Sequence, residues 1–290
     1  MVTFTREQRV ALEAGEFLNN QLKVFAEDTV DVKSDRAMRH SYITGTAGSG
    51  KSHTVQAALK KFNIPYKIIK GQASLFGFLQ NMAVLKATYG DDPIVVVIDD
   101  CDKLFADSDS LNAMKEMLGP ENSLSYGKQL NVKIIPEGIK REAVATFVNP
   151  TTGDFSLDVS NFYFIVTSNS SLPTKQQLAE ARKKSKNNPS PAYFRLEDRN
   201  AIRSRMNYKK IDFNNDELWG SITNIILTSN QTFSHLTEEQ KVMIIDMLWT
   251  ERSRAAELNV RTAMKMADKF LNTPIEDIRD KWLDILIEGE

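Results

Sequence analysis

Cysteine is nearly absent: Cys101 is the only one in 290 residues. A single thiol excludes an internal disulfide and a cysteine-rich zinc site, and it suits a reducing cytosol. Long apolar runs are missing too. None approaches the roughly 18 residues of a membrane-spanning helix, so no membrane association is expected. The first residues, Met1-Val2-Thr3-Phe4-Thr5, lack the basic-then-apolar order of a signal peptide, which makes the cytoplasm the expected location. No internal repeat or long low-complexity segment occurs. What remains is ordinary globular composition, 41% hydrophobic and 26% charged, at a length that suits about two domains.

Net charge is also scarce, at −1, but it is unevenly spread. Residues 171–213 carry 11 Lys/Arg against 4 Asp/Glu, and residues 214–290 carry 8 against 14. A basic middle beside an acidic end suggests two functional surfaces.

Against this background one stretch stands out. Gly45-Thr46-Ala47-Gly48-Ser49-Gly50-Lys51-Ser52 matches the Walker A pattern at every fixed position. Its glycines let the backbone curl so that successive N–H groups face a phosphate chain. Lys51 can reach the terminal phosphates, and the Ser52 hydroxyl can ligate Mg²⁺. Tyr42-Ile43-Thr44 reads as a short buried strand before the loop, and Lys51 to Lys61 as the helix after it. A helix N-terminus there favours an anion. ATP and Mg²⁺ are the expected ligands.

A second motif follows one strand-helix-strand unit later. Ile94-Val95-Val96-Val97-Ile98 reads as a strand buried on both faces, and Asp99-Asp100 stand at its C-terminal end. Ligands bind at that end in open α/β sheets. Asp99 should order the Mg²⁺ shell, and Asp100 should orient and deprotonate the attacking water. Phe162 to Asn169 is another buried strand ending in polar residues, where Asn169 can bond that water or the γ-phosphate. Arg199, Arg203 and Arg205 precede a last strand, Tyr208 to Phe213. In a ring, one of them can reach a neighbour's γ-phosphate as an arginine finger.

Several other stretches keep two readings. Thr5-Arg6-Glu7-Gln8 is a capping box opening a helix to about Asn20, though Gln8 also suits adenine recognition. Phe76-Gly77 fits an aromatic pore loop, or a helix in which Leu75, Phe78 and Leu79 face the core. Val144 to Val148 and Phe155 to Val159, flanking Asn149-Pro150-Thr151-Thr152-Gly153, read as a hairpin that grips DNA or polypeptide, or as a structural flap. Arg182 to Lys186 can meet nucleic-acid phosphates or simply suit a helix C-terminus. Cys101 reads as a small buried filler, with a redox switch as the alternative. From Asn214 the pattern is helical, with starts at Thr237, Asn259 and Thr273.

Taken in order, these motifs resemble the AAA+ ATPases over residues 36–290. Asp99-Asp100-Cys101-Asp102-Lys103-Leu104-Phe105 looks like the family's D-E-x-D-x-L-F, with Asp in place of Glu. Thr167-Ser168-Asn169 looks like sensor 1. Ser204-Arg205 looks like the Ser-Arg of clamp and helicase loaders, which makes Arg205 the finger and Arg203 the second candidate. Arg261 looks like sensor 2, which closes the lid on the γ-phosphate. Residues 70–118, with Val97 to Asp102 and Ser110-Leu111-Asn112, resemble a group of bacteriophage-encoded AAA+ ATPases. The resemblance implies an α/β P-loop NTPase: a parallel five-stranded sheet with helices on both faces, a β-hairpin insertion, a C-terminal helical lid and a homo-oligomeric ring, usually a hexamer. The domains would be an N-terminal helical extension at 1–35, a nucleotide-binding domain at 36–213 and a lid at 214–290. The work done is read first as a DNA motor or loader in phage replication, recombination or repair. A remodeller of a protein client and a nucleotide-driven assembly switch are the alternatives.

Overall fold

Five short stretches rich in β-formers line up as one parallel sheet with helices on both faces in the computed structural model. The structure describes residues 3–32, 38–71, 73–105, 108–120, 122–126, 147–148, 151, 154–184, 191–229, 232–253 and 258–270. In chain order the elements are α1 (Arg6–Val30), β1 (Ser41–Gly45), α2 (Lys51–Lys61), β2 (Tyr66–Lys70), α3 (Leu75–Tyr89) and β3 (Ile94–Asp99). A short 3-10 turn (Asp102–Phe105), α4 (Ser108–Met117), β4 (Ser123–Tyr126), β5 (Phe155–Asp158) and β6 (Phe162–Ser168) follow. The chain continues with α5 (Lys175–Lys184), α6 (Pro191–Ser204), β7 (Asn207–Ile211), α7 (Asn215–Thr228), α8 (Glu238–Glu251) and α9 (Val260–Phe270). Among the described residues no helix is long and apolar enough to cross a membrane.

The sheet order is β2-β3-β6-β1-β7. Every residue of β3 is buried, as its unbroken run of Val and Ile requires of a central strand. The register matters most for function. Lys70 lies beside Asp99, Asp99 beside Thr167, and Thr44 beside Ser168. The C-terminal ends of β2, β3, β6 and β1 therefore form one polar row above an apolar core that includes Phe78, Met82, Phe162 and Phe164.

The described residues divide into two compact units. One holds those of Met1–Ala26, Gly45–Thr54 and Ile211–Glu290; the other holds those of Glu27–Thr44 and Val55–Lys210. In the first unit, α1 and α7 cross in backbone contact. A Cβ on Gly15 would lie 2.3 Å from the Ser221 nitrogen, and one on Gly220 would lie 2.0 Å from the Ala11 oxygen. Trp219 is fully buried there and donates its Nε1–H to the Ile245 carbonyl at 2.9 Å.

Some expectations meet their structure here. The Thr5/Gln8 capping box forms, with the Thr5 N–H on Gln8 Oε1 and the Gln8 N–H on Thr5 Oγ1. The helix it opens runs past Asn20 to Val30, because Leu22, Ala26 and Val30 prolong its buried stripe at four-residue spacing. Capping boxes also close the starts of α7 and α8. Of the 144–159 hairpin, Val148 bridges Phe155 in antiparallel fashion. The ladder partner of Phe155–Asp158, however, is β4, a strand too short and too polar to be read from Ser123-Leu124-Ser125-Tyr126 alone. Residues 144–146, Lys186 and the helix expected from Thr273 lie outside the described residues.

Candidate functional site

The loop after β1 builds itself from its own backbone. Gly45, Gly48 and Gly50 all have positive φ (148°, 71° and 81°), a sequence of turns that residues with a Cβ resist. Lys51 is buried at 6% exposure, and its ammonium donates to the Gly45 and Thr46 carbonyls at 3.0 and 2.8 Å. The Ser49 hydroxyl accepts from it at 3.5 Å. Thr46 ties the loop to the chain after β7: its hydroxyl donates to the Phe213 carbonyl at 3.2 Å and accepts the Phe213 N–H at 2.8 Å. α2 starts at Lys51 with no acidic residue in its first turn. An ammonium, the Ser52 hydroxyl and an unopposed helix N-terminus are a donor set that fits phosphate.

Gly48 presses against Asn259. A Cβ on Gly48 would sit 2.3 Å from the Asn259 Cβ. Asn259 is itself fixed as the cap of α9, its Oδ1 accepting the Thr262 N–H at 3.0 Å and the Thr262 hydroxyl at 3.3 Å. The first unit thus brings the Walker A loop against the helix start that carries Arg261, whose side chain is exposed.

The second unit gathers the other candidates at the polar row. Asp99 is 6% exposed. Its Oδ1 accepts the Thr167 hydroxyl at 2.7 Å, and Lys70 Nζ lies 3.5 Å from its Oδ2. One buried, hydrogen-bonded carboxylate suits Mg²⁺, which keeps phosphate and water ligands and needs only one or two side chains. Asp100 turns the chain out of β3 with φ of 52°, its N–H donating to the Thr167 carbonyl at 2.9 Å. Asp and Asn enter the left-handed region more readily than other residues with a Cβ, and Asn63 and Asn122 do so here as well. Cys101 is buried, its Sγ 3.3 Å from the Ile69 carbonyl, and burial pushes its thiol pKa up. It packs as a small core residue.

Asn169 follows β6 and is exposed. The turn it opens is held by Asp102, Tyr42, Arg199 and Arg203, a role their positions in the sequence do not disclose. Asp102 accepts the Ser168 and Ser170 hydroxyls at 2.8 and 3.1 Å. Tyr42 donates its hydroxyl to the Ser170 carbonyl at 2.8 Å. Arg199 and Arg203 donate to the carbonyls of Ser171 and Leu172 at 3.2 and 2.7 Å. The Arg203 guanidinium also lies 3.7 Å over the Tyr208 ring. Arg205 follows α6; its buried Nη1, like the Nε of Arg199, has no hydrogen-bond partner among the described residues.

Phe76 sits in the first turn of α3, 37% exposed, behind the Ser74 cap that accepts the Gly77 N–H. Phe78 and Leu79 are buried as a helix face requires. Arg182 and Lys183 are exposed near the end of α5.

No protein-family model matches the chain, and no curated protein matches it. Solved structures similar to it include that of C. elegans PCH-2, at 14% identity and a TM-score of 0.40 over 95% of this chain and 67% of that one, a likeness too slight to bear on function.

Proposed function

We propose that this chain is a Mg²⁺-dependent AAA+ ATPase that works as a homo-oligomeric ring, a hexamer by the family's habit, in the cytoplasm. The observation that carries it is the strand register, which lines up Lys70, Asp99, Thr167 and the Thr44 end of β1 in the row where open α/β sheets bind ligands. The Walker A loop continues directly from Thr44. In this reading the backbone of Gly45, Thr46, Ala47, Gly48, Ser49 and Gly50 cradles the phosphates, with Lys51 on the terminal ones. Ser52 and Asp99 hold Mg²⁺, which would neutralise charge developing on the phosphates. Asp100 takes the proton of the attacking water, and Asn169 orients that water. Arg261 senses the γ-phosphate from a lid formed by 214–290. Arg205 acts on the neighbour's nucleotide, ahead of Arg203, whose guanidinium is held within its own chain by the Leu172 carbonyl and the Tyr208 ring.

For the client, nucleic acid is the first reading. The excess of Lys/Arg in 171–213 and the exposed Arg182 and Lys183 support it. A protein client is the second, supported by the exposure of Phe76. The test is steady-state ATP hydrolysis by wild type and Lys51→Ala, with and without single- and double-stranded DNA at low salt. Hydrolysis stimulated by DNA and lost in Lys51→Ala is expected. Hydrolysis indifferent to DNA would reject the nucleic-acid reading and keep the ATPase. No Lys51-dependent hydrolysis would reject both.

A further inference from the structure

α1 is apolar on two opposite faces, and its own chain covers only one of them. Ala11, Leu22 and Ala26 are buried, and Gly15 lies in backbone contact with α7. On the outer side Val10, Phe17 and Val24 are 62%, 62% and 63% exposed. Among the described residues these are the three most exposed large hydrophobic side chains; the others reach at most 43%. Single apolar residues on a surface need no explanation, but three in line on one helix do. The line follows from helix geometry. A helix turns about 100° per residue, so steps of seven and of eleven residues return to within about 20° of the starting direction. Val10 and Val24 stand seven residues on either side of Phe17, and Arg6 and Asp28 stand eleven on either side. α1 is one unbroken helix, so these separations depend on nothing but its own rise and turn. All five residues are exposed on one face, which is about 33 Å long.

This face is complementary to itself when reversed. Turned end for end about Phe17, a second α1 sets the partner's Phe17 on Phe17 and the partner's Val24 on Val10. It also sets the partner's Asp28 carboxylate against the Arg6 guanidinium, and each of these last two pairs occurs twice. Glu13, exposed near the same line, meets the partner's Gln21. Aligned in parallel, the same face would set Arg6, Glu13 and Asp28 each against its own copy, and such like-charge contacts are penalised. We infer that the outer face of α1 is a docking surface for α1 of a second copy of this chain, packed antiparallel across a two-fold axis at Phe17. A two-fold contact uses the same patch on both partners and closes on itself, so it is not the repeating contact of a ring. It joins one assembly to another, needs no nucleotide, and goes beyond the ATPase reading. A single helix face buries less than the roughly 1,200 Å² of a standard stable interface. Each contact is therefore weak alone and gains strength where several copies are already held together.

The test is sedimentation velocity of the full chain over a concentration series, without nucleotide and at low salt, where surface charges are least screened. The proteins are wild type, Phe17→Glu, Arg6→Asp, Asp28→Arg and the double variant carrying both charge swaps. Wild type should double in mass as concentration rises. Phe17→Glu sets two carboxylates at the centre of the contact and should raise the midpoint of doubling by about tenfold or more. Each single swap opposes like charges at both ends and should weaken doubling by about threefold. The double variant opposes unlike charges again and should return to wild-type association. None of these changes works against α1 itself, because Glu is a good helix former and Asp and Arg suit the first and last turns. A variant that failed to fold would lose helical circular dichroism, and the second swap would not repair it. Equal masses in wild type and Phe17→Glu at every concentration overturn the docking surface for a second copy. Single swaps that weaken doubling without rescue in the double variant overturn the antiparallel pairing.

Discussion

The loop at Gly45–Ser52 and the turn at Ser168–Leu172 are both irregular backbone at strand ends, and they are held in opposite ways. The loop leans on itself: Lys51 bonds carbonyls five and six residues back, and glycine conformations do the rest. The turn is held by side chains brought from far along the chain, Tyr42 at a separation of 128 residues, Asp102 at 66 and Arg203 at 31. A locally determined structure leaves a contiguous signature in sequence, because each position must supply its own φ or its own donor. A structure determined by distant partners leaves single residues that look like surface or core until the fold joins them.

The largest effect should come from the arginine just beyond the helix that holds the turn. Arg205→Ala is expected to lower kcat by about 10³-fold or more, the usual loss on removing an arginine finger, with nucleotide affinity nearly unchanged. Mixing Arg205→Ala with Lys51→Ala chains should restore part of the activity, because one supplies an intact loop and the other an intact arginine. Steady-state kinetics on the separate and mixed proteins decide it. An Arg205→Ala protein with wild-type kcat would leave the neighbour's site without this residue.

Next in size is a test of the loop's self-sufficiency. Gly48→Ala places a Cβ 2.3 Å from that of Asn259, at a φ of 71° that alone costs about 1–2 kcal/mol. With the overlap added, a total loss of about 3 kcal/mol is expected, within the range of overpacked sites. Asn259→Gly costs a cap only a few tenths of a kcal/mol and removes the opposing Cβ. The double variant should recover most of the steric part but none of the dihedral part. Urea unfolding of the two single variants and the double variant separates them; strict additivity would mean that Gly48 and Asn259 do not press on each other.

The same contrast explains what the sequence disclosed. The Walker loop, the β3 run and the caps at Thr5, Thr237 and Asn259 were legible, because each depends on residues within a few positions of one another. Lys70 beside Asp99, the clamp by Arg199 and Arg203, and the grip of Asp102 were not, because they exist only once the order β2-β3-β6-β1-β7 is known. The arginines drew attention as a cluster, but their number does not say that two face inward. Lys70 could have been found: as the last residue of β2, it stands opposite Asp99 in any register that aligns the two strand ends. The pairing of β4 with β5 was hidden by its length, four residues with two serines.

A smaller effect sharpens the comparison from the other end of the sheet, where His40 precedes β1. Its Nδ1 accepts the Phe164 N–H at 3.2 Å, a bond across 124 residues of chain. Burial, helped by the charge of Arg39, lowers the His40 pKa from 6.5 to about 3. The neutral ring is therefore the folded form, and between these two values the unfolded chain binds the extra proton. Stability from His40 is fully present above pH 6.5 and falls as pH drops toward 3. Its slope approaches about 1.4 kcal/mol per pH unit. Asn at this position keeps an acceptor for Phe164 and has no proton to gain. His40→Asn should be less stable than wild type at pH 7.5 and should lose the histidine's share of the slope between pH 6 and 4.5, which denaturant titrations at each pH would show. Equal slopes would mean that His40 is protonated as readily in the folded sheet as in the open chain, and that the long-range bond to Phe164 is not what holds this edge of the strands together.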